Sequence, residues 1–145
     1  MKWITRAHVH VDRVACPWLI SRFIGSDAEF LFVARSEVLR VSAAEDAIPF
    51  DTADMELGRV EGRCSFESII KKYELKDPAL LRLVKIIHAA DVDEDIDTDP
   101  NGRGLEAIAT GFGLRFPDDQ QNLAIQFEVY DALYAGCKLN VSKAR

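Results

Sequence analysis

A chain of 145 residues with 48% hydrophobic and 29% charged residues has the composition of a soluble globular protein. It is long enough to bury a core and too apolar for a disordered or fibrous class. The formal net charge of −6 opposes binding to polyanions, because nucleic-acid affinity rests on basic residues that displace phosphate counterions. No direct nucleic-acid partner is therefore expected, and any gene-regulatory role would need another domain to hold DNA. No apolar run approaches the roughly 20 residues that span a bilayer, and Met1 to Arg6 lacks the apolar segment of a secretory signal, so the expected setting is cytoplasmic with no membrane partner.

Taken in chain order, Trp3 to His10 reads as a strand. Its two-residue period would send Arg6, His8, His10 and Asp12 to one face and Trp3, Thr5, Ala7, Val9 and Val11 into a core. Asp12 is placed to cap a helix running from Val14 to Ile24, with Pro17 in its first turn, and Gly25-Ser26-Asp27 ends it. Glu29 to Val33 is a second short apolar run. Val38 to Val41 and Ala47 to Phe50 read as two more strands, the last an edge because it carries Pro49.

From Ser65 the period shifts toward 3.6. Phe66, Ile69, Ile70 and Tyr73 form one stripe on a helix with Ser65 as its cap. Leu80, Leu81, Val84, Ile87 and His88 form another on a helix opened by Asp77-Pro78. Further helices are expected over Leu105 to Leu114 and Asp118 to Cys137. With no repeat and no linker, residues 1–145 read as a single α+β domain, a small N-terminal sheet covered by four or five helices with a helical C-terminal half.

Three cysteines, Cys16, Cys64 and Cys137, form no CxxC pair, which argues against a disulfide framework and a zinc knuckle. Cys137 reads as a small core residue. Cys16, one turn past Asp12, and Cys64, beside a helix start, are candidates for reactive or metal-binding thiols. The acidic run Asp91 to Gly102 invites comparison with a calcium loop. Asp97, Asp99, Asn101 and Gly102 fit its opening, but Ile108 stands where the bidentate Glu belongs, so a solvated acidic segment is expected.

The histidines carry the metal expectation. His10 ends the first strand, and His88 shares a helix face with Asp91. With Glu29 on a neighbouring strand, His10, Glu29, His88 and Asp91 would make a two-histidine, two-carboxylate cage for a divalent transition metal such as zinc, iron or manganese. Arg6 and Arg13 would hold an oxyanion or a substrate carboxylate through forked hydrogen bonds, with Trp18 and Phe66 as walls.

Thr5-Arg6, Val11 to Ile20, Arg22-Phe23, Ala28 to Val33, Ile48 to Asp51, Cys64 to Glu67, His88 to Asp91 and Tyr130 to Tyr134 together resemble the C-terminal domain of the chromate resistance protein ChrB. The resemblance covers nearly the whole chain. It implies a bacterial origin and a place in chromate resistance, beside an additional N-terminal domain in the full-length family members. It does not carry DNA binding to these residues. Three expectations stay open: a module that senses or sequesters a metal or oxyanion, a small metal-dependent enzyme with Asp12 or Cys16 as acid, base or nucleophile, and a structural domain dimerising through its long aromatic C-terminal helix.

Overall fold

The computed structural model of the chain describes residues 1–52 and 55–143. Three short strands, β1 (Lys2–Arg6), β2 (Glu29–Val33) and β3 (Ile48–Pro49), form a parallel sheet in the order β2-β1-β3. Parallel neighbours need crossovers, and helices supply them: α1 (Val11–Phe23) joins β1 to β2, and α2 (Val38–Glu45) joins β2 to β3. The remaining helices are α3 (Ser65–Lys72), α4 (Pro78–Asp91), α5 (Gly102–Arg115) and α6 (Asp119–Lys143). The fold is α+β, with its sheet in the N-terminal third and its C-terminal half helical.

The alternation of β1 separates two apolar layers. Ile4 packs with Val38 and Ala47 on the α2 side. Trp3 points the other way, into the main core with Phe30, α1, α3, α4 and the aromatic residues of α6. Helix α1 is sealed in this core, with Val11 to Ile20 buried except Arg13. Long α6 clasps it. Tyr130 Oη donates to the Val11 carbonyl at 3.2 Å, and Trp18 Nε1 donates to Asp131 at 2.7 Å. At Gly102 a Cβ would lie 2.8 Å from the Ala89 Cβ and 2.7 Å from the Ile96 carbonyl, so the start of α5 sits against α4 only because it lacks a side chain.

Three sequence expectations are corrected. The first strand stops at Arg6, because His8 adopts a left-handed φ of 65° that no strand accommodates. The Asp119 carboxylate accepts the His8 and Val9 N–H groups at 2.9 Å each and fixes that turn. Consequently His8, His10 and Asp12 do not share a strand face. Residues 38–41 belong to helix α2 rather than to a strand: Val38 and Val41 at i and i+3 share one helix face and pack in one cluster with Ile4, whereas a strand would turn them to opposite faces. Helix α1 begins three residues earlier than expected, which puts Pro17 inside the helix rather than in its first turn.

Candidate functional site

In open parallel sheets ligands bind outside the carboxyl ends of the strands, where strand order reverses. Here the order reverses at β1, and a cleft of about 370 Å³ lies at that end. All three strands deliver residues to it: Arg6 closes β1, Arg35 lies just past β2, and Asp51 and Thr52 follow β3. Arg59 completes the polar lining, and Val38, Leu39 and Met55 form the apolar wall.

The charges in and under this cleft are arranged unequally. Arg13 contacts Asp51 at 3.3 Å and also donates to the His8 carbonyl at 2.8 Å. Asp51 accepts a second bond from Ser65 Oγ at 2.8 Å. Arg59 pairs with Asp91 at 3.1 Å. Arg6 and Arg35, by contrast, enter no ion pair among the described residues, and the buried Nε of Arg6 has no acceptor there. Burial, with Arg13 and Arg35 nearby, makes the Arg6 guanidinium easier to deprotonate than usual, against the pull of Asp51 and Asp91.

Asp12 lies beneath, fully buried in the first turn of α1. Its carboxylate accepts the backbone N–H groups of Ser65 at 2.7 Å and Phe66 at 3.1 Å, capping the N-terminus of α3 across the fold. The Cys16 thiol donates to the same carboxylate at 3.5 Å. Burial and the neighbouring Asp91 and Asp51 push the Asp12 carboxyl up, while Ser65 and Cys16 hold it back. Burial and Asp12 also push the Cys16 thiol up, so it stays protonated. Asp91, raised by burial and by Asp51, is restrained by Arg59 and Arg13.

A family profile described as ChrB, C-terminal domain, matches residues 3–137. The chain belongs to the ChrB C-terminal domain family. Protein ChrB of Cupriavidus metallidurans is 37% identical over 134 residues, which cover 92% of this chain and 40% of that protein. The chain thus spans about two fifths of the length of the curated relative it matches. No solved structure matches it.

Arg6, Asp12, Arg13 and Asp91 gather at the carboxyl edge of the sheet, with Cys16 below them. The other expected site residues lie elsewhere. His10 faces Thr110 at 3.2 Å and Glu106 at 3.6 Å, beside α5. Glu29 is exposed at the opposite, amino end of the sheet, in register with Lys2. His88 lies between Glu67 and Asp95. His10, Glu29, His88 and Asp91 therefore have four separate surroundings and form no common cage. Trp18 and Phe66 wall no cleft, because both are fully buried in the core.

Sequence reasoning missed Arg35, Asp51, Thr52 and Arg59. The first three stand just beyond strand ends, a position that a parallel β-α-β reading marks for ligand contact. Arg59 follows Gly58 in a loop and gave no such signal. Among the described residues, no helix is long and apolar enough to cross a membrane.

Proposed function

We propose that this domain serves chromate resistance by binding a small oxyanion, with chromate as the first candidate, in the cleft at the carboxyl edge of the sheet. The observation that carries this reading is Arg6, a cleft residue whose buried Nε has no acceptor among the described residues and which stands beside Arg35 and Arg59. A buried donor without a partner is costly, and an oxyanion supplies the missing acceptor through forked, charge-assisted bonds. Asp51 on the same wall does not reverse the sign, since Arg13 and Ser65 hold its carboxylate.

The burial of Asp12 and Cys16 favours binding over catalysis. Asp12 spends its oxygens on α3, and the Cys16 thiol is buried and protonated, which leaves neither group free to act on a ligand. Equilibrium dialysis against chromate at low ionic strength tests the proposal. The domain should bind one equivalent, and Arg6→Gln should weaken binding roughly tenfold or more, the scale of one hydrogen bond to a charged group. Arg82→Gln, an exposed arginine of α4 that does not line the cleft, should leave affinity unchanged. Absence of saturable binding, or full affinity in a folded Arg6→Gln/Arg35→Gln variant, would refute it.

A further inference from the structure

We propose that Cys64, Glu67 and His88 form a second site, one that takes a divalent transition metal of the zinc type. The Cys64 Sγ, a Glu67 carboxylate oxygen and a His88 ring nitrogen all lie within 4.8 Å of one another. They come from two helix ends: Cys64 is the N-cap of α3, Glu67 stands in its first turn, and His88 lies in the last turn of α4. The cleft arginines take no part, so the site is independent of the oxyanion reading.

Three features point to a metal rather than to packing alone. The first is the donor set. Thiolate, imidazole and carboxylate together are characteristic of zinc and related borderline ions, and three protein donors leave a fourth position for water. The second is the residue at the cap. N-caps favour Ser, Thr, Asp and Asn, whose oxygens accept strong hydrogen bonds; Cys is outside that group, and its sulfur is a weak acceptor. Serine would hold the helix at least as well, so capping does not account for a thiol at 64.

The third feature is the placement of Asp95. The His88 ring is gripped at both nitrogens, Nδ1 by Glu67 Oε1 at 2.6 Å and Nε2 by Asp95 Oδ2 at 2.7 Å. With Nδ1 toward the metal, Nε2–H donates to Asp95, the carboxylate–histidine–metal arrangement that fixes the ring and raises its basicity. Metal–nitrogen and metal–oxygen bonds of about 2.0–2.1 Å place tetrahedral ligand atoms roughly 3.3 Å apart. Glu67 and His88 must therefore separate by roughly 0.7 Å to admit the ion, a movement within reach of side-chain rotation. The Glu67 and His88 side chains are 23% and 20% exposed, so the cluster opens to solvent on their side, with the Cys64 sulfur buried behind them. On binding, the ion displaces the proton on the Cys64 sulfur and the one shared between His88 Nδ1 and Glu67, and both pass to solvent.

Cobalt(II) provides the test, because a thiolate ligand announces itself by an intense sulfur-to-cobalt charge-transfer band. The metal-free protein, titrated with cobalt chloride under reducing conditions, should take up one equivalent and develop that band. Cys64→Ser keeps a capping oxygen and should remain folded by circular dichroism while losing the band. His88→Gln should lose uptake, and Asp95→Asn should weaken it roughly 10- to 100-fold. Cys137→Ser, a buried thiol outside the cluster, should behave as wild type. No stoichiometric uptake by the folded wild-type protein, or a charge-transfer band that survives Cys64→Ser, would overturn the proposal. Chromate binding should be the same in wild type and Cys64→Ser, so the two sites fail or stand separately.

Discussion

Asp12 shows how a side chain with the chemistry of a catalyst can serve the fold instead. Its two oxygens take the first free N–H groups of α3, from residues 53 and 54 positions further along the chain. Asp12→Ala would strip both acceptors and leave two buried donors unmet. We expect a loss of about 2 kcal/mol, a cap combined with unsatisfied backbone, read from urea denaturation with unchanged slope. Asp12→Asn, which keeps one acceptor oxygen, should cost less. A folded Asp12→Ala protein of wild-type stability would return Asp12 to the pool of functional candidates. The sequence made Asp12 conspicuous through its neighbours His10, Arg13 and Cys16. Its actual partners, more than 50 residues away, leave no local trace.

Individual elements were legible where local chemistry decided them. Glu29 to Val33 was recognisable as a strand from its apolar run, Asp77-Pro78 marked the start of α4, and Pro49 marked an edge strand. Failure came where a local pattern serves two structures, as at Val38 to Val41, or where a distant group sets the backbone, as Asp119 does at His8. The clasp between α1 and α6 yields a prediction at this scale. Arg22 and, less strongly, Trp18 hold the Asp131 carboxyl below its ordinary value against the effect of burial. A carboxyl depressed in the folded state stabilises fully above its unfolded pKa of about 3.9, and that contribution is lost as pH falls through the folded value. Asp131→Asn should therefore be less stable than wild type at neutral pH and show a shallower loss below about pH 4. Urea unfolding followed by circular dichroism at several pH values would measure this, and parallel pH profiles would contradict it.

Across the whole molecule, the early strands and late helices foretold an α+β chain, and the chain has that architecture. The parallel pairing and the strand order β2-β1-β3 were not visible, because they depend on reading residues 38–45 as a crossover helix. Without that order there is no switch point, and the arginines beyond the strand ends cannot be assembled from spacing alone. The same limit scattered the expected metal cage: Glu29 enters β2 at the amino edge, while Asp91 pairs with Arg59 at the carboxyl edge. Consecutive residues at the start of α3 then face two different tasks. Ser65 braces Asp51 on the cleft wall, and Cys64 belongs to the cluster with Glu67 and His88.

Occupancy of the carboxyl edge of the sheet by an oxyanion can be read from amide chemical-shift mapping during a chromate titration. Saturable shifts should concentrate at Arg6, Arg35, Asp51, Thr52 and Arg59 and be absent in Arg6→Gln. Saturable shifts centred elsewhere, around His10 and Thr110 for instance, or no shifts in the folded domain, would contradict it.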